Sequence, residues 1–173
     1  DHTILVAVLH GNNEIGTIQD LKRLGDICKK YNVYFHTDAC QSYTKTDINT
    51  KTQNIDLITL NAHKIHGPKG IGVLYIKKGT KLQTWQHGGG HEFNLRSGTE
   101  NISGIVGFAK ATELPSNKHV QHMTKLRDKL IKGILEIPNT RLNGPKDRLC
   151  NNVNVSFNSI EGATALKLDE KFE

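Results

Sequence analysis

Apolar residues come in short, nearly continuous runs separated by polar stretches. Residues 3–10 carry Ile4, Leu5, Val6, Val8 and Leu9. Continuity of that kind predicts a strand in a sheet covered on both faces. The period then changes. Across residues 20–31, Leu21, Leu24, Ile27 and Cys28 fall on one side of a helix. Residues 33–37 form the next apolar run, and strand–helix–strand implies parallel pairing. Residues 55–60 and 72–76 predict a third and a fourth strand, and residues 79–98 read mostly as glycine-rich loop. Residues 102–114 and 120–134 read as helices, with Pro115-Ser116-Asn117 between them as a hinge. Residues 140–142 and 152–157 predict strands of a smaller unit. The expected fold class is α/β with a mostly parallel sheet. Residues 1–114 would belong to a large domain and residues 115–173 to part of a small C-terminal α/β domain.

Composition narrows the function classes. The 173 residues include 23 basic and 17 acidic side chains, for a net charge of +6. The lysines are scattered, with neither a dense basic cluster nor an RNA-binding aromatic signature, so nucleic acid is not the expected partner. No apolar run is long enough to cross a membrane and no signal peptide pattern opens the chain, so a cytoplasmic protein is expected. Cys28, Cys40 and Cys150 show no metal-ligand spacing. Each reads as structural: Cys28 on the helix face, Cys40 at a helix start, Cys150 leading into a strand.

Candidate chemistry gathers at strand ends. Lys64 follows the run at residues 55–60 and precedes Gly67-Pro68. A lysine there is expected to lose solvent, which lowers its pKa and frees a nucleophilic lone pair for an aldehyde cofactor. Lys69, after Pro68, is its rival. Asp38 closes the run at residues 33–37, where an α/β protein opens its ligand crevice. A carboxylate there can keep a pyridine nitrogen protonated, as pyridoxal phosphate chemistry requires. Gln41 could reach the same cofactor's phenolic oxygen. The alternative for Asp38 is a helix cap at Ala39. Asn12-Asn13 reads equally as a turn.

Four segments together resemble the cysteine desulfurase family of fold type I, class V aminotransferase-like pyridoxal phosphate enzymes. They are Asn12-Asn13-Glu14-Ile15-Gly16-Thr17, His36-Thr37-Asp38-Ala39-Cys40-Gln41, His63-Lys64-Ile65-His66-Gly67-Pro68-Lys69-Gly70, and His87-Gly88-Gly89-Gly90-His91-Glu92 followed by Arg96-Ser97-Gly98-Thr99-Glu100-Asn101. The likeness covers residues 3–168 and corresponds to the middle part of a complete member.

The resemblance implies a cofactor, pyridoxal 5'-phosphate, and a set of residues for it. Lys64 would hold it and act as base. Asn13, Asp38, Gln41, Asn61, His63 and Thr99 would contact it, Thr99 reaching across a homodimer interface to the partner's phosphate. Thr99 could instead cap the helix near Ile102. Asn61 stands where the family usually has serine, and Phe93-Asn94 where it usually has Arg-Gly. A phosphate-cradling loop and a ring-stacking His would lie before Asp1. A sulfur-accepting Cys and a carboxylate-binding Arg would lie after Glu173. The implied reaction turns L-cysteine into L-alanine and passes sulfur to a Cys persulfide for iron–sulfur cluster or thio-cofactor assembly. An iron–sulfur scaffold or another sulfur-acceptor protein would be the partner. A selenocysteine lyase or aminotransferase is a variant of that reading. A catalytically silent truncated homologue, acting as a dimerisation or scaffold-binding module, is the other reading.

Overall fold

The structure is a computed structural model that describes residues 2–158 and residue 160. The chain divides into two compact units, one of Asp1–Gly11 with Gln19–Pro115, the other of Asn12–Ile18 with Ser116–Glu173. Among the described residues no helix is long and apolar enough to cross a membrane.

The first unit is built on a four-stranded sheet in the order β1 (Leu5–Leu9), β2 (Tyr34–Asp38), β3 (Leu57–Asn61) and β4 (Gly72–Ile76). The first three strands are parallel, and β4 runs antiparallel to β3. Helix α1 (Leu21–Lys30) links β1 to β2, as the strand–helix–strand pattern predicts. Asp20 caps it, its carboxylate accepting from the Arg23 amide at 3.0 Å, and Lys29 and Lys30 lie in its last turn, where the helix dipole favours cations. Leu21 and Cys28 pack with Phe35, Ala39, Ile55 and Ile58, joined by Val6 and Val8. This is the main core, and Cys28 belongs to it as expected.

Helix α2 (Ile102–Glu113) packs beside that core, on the connection that follows β3. Phe108 and Ala111 meet Ala62 and Ile65, with Leu60 and Ile71 against them. Two glycines permit the approach. A Cβ on Gly67 would lie 3.1 Å from the Ala111 methyl, and one on Gly107 would lie 2.6 Å from the Pro68 ring. The helix and the turn are therefore pressed together at backbone distance.

The sheet departs from expectation in one respect. Side chains alternate between faces. Val6, Val8, Phe35 and Ile58 point to the helices, while Leu5, Tyr34 and Leu74 on the opposite face are 44%, 36% and 48% exposed. Leu57 is buried on that second face. Continuous apolarity along β1 thus marks a two-sided strand of which only one side is packed here.

The second unit holds α3 (Asn117–Leu135) and an antiparallel pair, β5 (Thr140–Leu142) with β6 (Val155–Phe157). Helix α3 starts three residues earlier than the apolar period predicts. The Thr140 hydroxyl donates to the Ile134 carbonyl at 3.0 Å and ties the helix end to β5. Arg127 donates to the carbonyls of Arg148 and Leu149 at 2.8 and 3.1 Å. The segment Asn12–Ile18 is held by Asn152, whose amide reaches the Asn13 and Glu14 carbonyls, both at 3.0 Å. Residues 161–168, the end of the stretch that carries the family resemblance, lie outside the described residues.

Candidate functional site

The C-terminal ends of β2 and β3 bring Asp38, Thr59 and Asn61 onto the open face of the sheet. Asp38 is directly in register with Thr59, and Asn61 lies two residues further on. His36 joins the group from below, its Nε2 lying 2.8 Å from the Thr59 hydroxyl. Burial pushes the His36 pKa down, and the nearby Asp38 carboxylate opposes that shift.

Beyond Asp38 the chain turns without forming a helix. The Asp38 carboxylate accepts from the Cys40 amide at 2.9 Å. Bonds from Tyr43 N to the Ala39 carbonyl and from Thr46 N to the Ser42 carbonyl make two separate turns, and Thr44 sits at φ 66. Asp38 therefore caps a turn, and the helix expected at Ala39 does not exist, because left-handed Thr44 interrupts the ladder. Gln41 lies half-buried in this turn, its carbonyl accepting from the Lys45 ammonium at 2.9 Å. The Cys40 thiol lies near the Thr59 carbonyl, with Sγ at 3.8 Å. Burial first, then the hydrogen bond and charge of Asp38, push this thiol up to about 12. Such a thiol stays protonated and is a poor nucleophile, in keeping with a structural reading of Cys40.

Lys64 lies in a 3-10 turn, His63–Ile65, between β3 and β4. The turn closes on His66, which takes the left-handed conformation at φ 66, and the Gly67 amide donates back to the Ala62 carbonyl at 2.9 Å. Ile65 is buried under α2 while His63 and Lys64 face outward. Here the structure corrects an expectation. Lys64 is exposed rather than desolvated, because it lies on a turn whose buried residue is Ile65. Lys69 is exposed too, so burial does not separate the two lysines. Position does: Lys64 is three residues past the end of β3, on the turn pinned by Ile65.

Asn61 is already engaged. Its Oδ1 accepts from the Lys64 amide at 3.3 Å, and its side chain acts to lower the Cys40 pKa against the larger effect of burial. Two pairs are thus bonded, Asp38 with the Cys40 amide and Asn61 with the Lys64 amide. His63 lies on the same turn as Lys64.

Asn13 and Thr99 belong to other segments than these strand ends. Asn13 belongs to the second unit and is exposed. The turn there is made by its neighbour, since Asn12 Oδ1 accepts from the amides of Glu14 and Ile15, both at 2.9 Å. Thr99 follows a loop folded on itself, in which the Ser97 hydroxyl reaches the carbonyls of Gln86 and Gly89, both at 2.9 Å. Thr99 is exposed and makes no hydrogen bond among the described residues, and the cap of α2 is Asn101, accepting from the Gly104 amide at 3.0 Å. In the same loop Glu92, Phe93 and Asn94 are all left-handed, at φ 47, 57 and 64, and Phe93 is 92% exposed.

Two site neighbours were not given roles from the sequence, Thr59 and His10. Thr59 could have been found from the strand period, which puts it on the same face as Asn61. His10 carries no sequence signal beyond following a strand.

A carboxylate, a lysine, a histidine and carboxamides on adjacent strand ends are the donor set a pyridoxal phosphate molecule requires. Comparison with known proteins agrees with this chemistry. The aminotransferase class-V family pattern matches residues 1–171. A cysteine desulfurase IscS of Clostridium botulinum (strain Hall) is 53% identical over 173 residues, across 96% of this chain and 44% of that protein. A solved structure of a NifS-like protein superposes with a TM-score of 0.90 at 39% identity, covering 98% of this chain and 48% of that one. A structure of SspA in complex with cysteine has a TM-score of 0.81 at 36% identity, covering 99% of this chain and 48% of that one. The chain therefore spans under half the length of the relatives it matches.

Proposed function

The chain belongs to the aminotransferase class-V family, and from that premise we propose that it forms the cofactor-holding portion of a pyridoxal phosphate-dependent cysteine desulfurase. The observation that carries the reading is the convergence of Asp38 and the Lys64 turn at the ends of paired strands, with Asn61 bonded to the Lys64 amide. The name of the IscS relative and the cysteine held by SspA support the choice of L-cysteine as substrate.

When bound, pyridoxal phosphate supplies an electron sink that makes a proton on the amino acid Cα labile. The rest falls to the protein. The Asp38 carboxylate holds a proton on the ring nitrogen and is itself fixed by the Cys40 amide. Gln41 serves the phenolic oxygen from the same turn. His63 and Asn61 serve the phosphate, and Asn61 does so with its carbonyl committed to the Lys64 amide, which leaves its NH2 to donate. Lys64 Nζ would hold the cofactor and, once the amino acid's amine has displaced it, would be free to take the Cα proton and to return one as alanine is released. Asn13 and Thr99 complete the set, Thr99 toward a second copy in a homodimer. Sulfur leaves to a thiol outside this group, since Cys28 and Cys150 are buried and Cys40 is held protonated. Iron–sulfur or thio-cofactor assembly through a scaffold or acceptor protein is the proposed destination.

The test is borohydride reduction of the full-length protein loaded with pyridoxal phosphate, followed by peptide mapping. A pyridoxyl adduct on Lys64 is expected. An adduct on Lys69 instead, or on no lysine, would overturn the assignment.

A further inference from the structure

We propose that His10 is a positioning residue, whose hydrogen bond to Ser42 fixes the turn that presents Asp38 and Gln41. What the turn presents them to rests on the pyridoxal phosphate reading. The clamp itself rests on geometry.

His10 directly follows β1 and is 3% exposed. It grips the turn at both ends. Its backbone amide donates to the Asp38 carbonyl at 2.9 Å, and its ring Nδ1 lies 2.8 Å from the hydroxyl of Ser42, which is wholly buried. That hydroxyl also reaches back to the Ala39 carbonyl at 3.4 Å. The Gln19 amide, donating to the His10 carbonyl at 2.8 Å, holds the histidine in turn.

The turn needs such support. Its two α-type backbone bonds do not join into a helix, and single turns are marginal on their own. A buried polar pair is costly unless satisfied, so a His–Ser bond in this place has to do something that an apolar pair could not. Here it sets where Ser42 lies relative to Asp38. Asp38 is one gripped residue and Gln41 lies between it and Ser42, so the carboxylate and the carboxamide are aimed by bonds in which neither side chain takes part. A ring nitrogen and a phenolic oxygen are fixed points on a rigid planar cofactor, and small rotations of the turn would misplace both partners at once.

The test uses the full-length protein and three variants. His10→Leu and Ser42→Ala delete the bond. His10→Asn puts an amide group where Nδ1 stood, able to donate or accept. In the apoprotein, hydrogen exchange at the Cys40 and Tyr43 amides should quicken about tenfold in the two deleting variants and return close to the unaltered rate in His10→Asn. After loading with pyridoxal phosphate, the circular dichroism band of the ring should shift in His10→Leu and Ser42→Ala and be restored in His10→Asn. Unchanged exchange in the deleting variants overturns the clamp. Equal change in His10→Leu and His10→Asn overturns it as well, because ring volume would then be what matters. Quickened exchange with an unchanged ring band overturns the positioning role. Failure of the unaltered protein to take up cofactor sinks the cofactor reading instead, while the exchange rates still decide the clamp. If His10→Leu does not fold, Ser42→Ala, the smaller change, gives the same answers.

Discussion

Asn61 and Lys64 are joined by a hydrogen bond from the lysine's own amide to the asparagine's side-chain oxygen, at 3.3 Å. A residue placed by resemblance at the cofactor phosphate thus also shapes the turn that carries the lysine. Replacing Asn61 with alanine should destabilise the protein by about 1 kcal/mol, the net worth of one such bond. Asn61→Ser should recover part of this, because a hydroxyl can still accept from the turn. Chemical denaturation of the three proteins measures it. Equal stability of all three would show that the bond is incidental.

Under the proposed function, Asp38→Asn in the full-length protein should lower kcat on cysteine by on the order of 100-fold, the scale of losing one preorganised electrostatic partner, with a smaller effect on KM. The same change has a second, independent readout. The Asp38 charge and hydrogen bond help to hold the Cys40 thiol protonated. Removing the charge should lower that pKa and quicken alkylation of Cys40. Unchanged kcat together with unchanged Cys40 labelling would mean that Asp38 only caps its turn.

Stability should fall as the solution is acidified below neutrality. Burial lowers the pKa of both His10 and His36 from the ordinary value of 6.5. Between their lowered values and 6.5 the unfolded chain binds protons that the folded chain refuses, so stability rises with pH in that window. It is fully present above 6.5 and is lost as pH drops through the window. Denaturation midpoints at about pH 7 and about pH 5 compare the two ends. In His10→Asn the slope between them should be shallower, and an identical slope would remove His10 from the account.

The 173-residue chain by itself should release no sulfide from cysteine. Cys28 and Cys150 are buried, Cys40 is held protonated, and Lys64 lies exposed, where water competes at every step. Added cofactor should be washed out on desalting. Steady turnover by this chain would mean that one of the three thiols is far more mobile than its packing shows.

Much of the fold was legible because its elements have clean periods. The helix at Leu21–Lys30 announces itself by Leu21, Leu24 and Cys28, and the strands by their apolar runs. The residues that carry chemistry were legible only as types at strand ends. What escaped depends on tertiary structure. The run along β1 could not say that only one face is packed, since Leu5 and Val6 look alike in sequence. The exposure of Lys64 follows from its place on a turn whose buried residue is Ile65. A helix after Asp38 was a fair expectation from local composition, but left-handed Thr44 is set by its surroundings rather than by its own preference. The His10–Ser42 contact joins residues far apart in the chain, and no local pattern marks it.

The reversal of direction at β4 bears on the order in which the molecule assembles. Asn61 pairs with Gly72 across a short connection, whereas Leu5 must find Tyr34 on the far side of a helix. Loop closure favours the nearer partners, and local pairings form faster than distant ones. The hairpin bearing Lys64 is therefore expected to be in place before the parallel strands deliver Asp38 beside it. Pulse-labelling during refolding would show protection at Ala62 and Gly67 ahead of His10, and the reverse order would refute the sequence of events. On this view the amine waits, already presented, while the carboxylate arrives last, so that under the proposed function an aldehyde present during synthesis would meet Lys64 on a chain that is still folding.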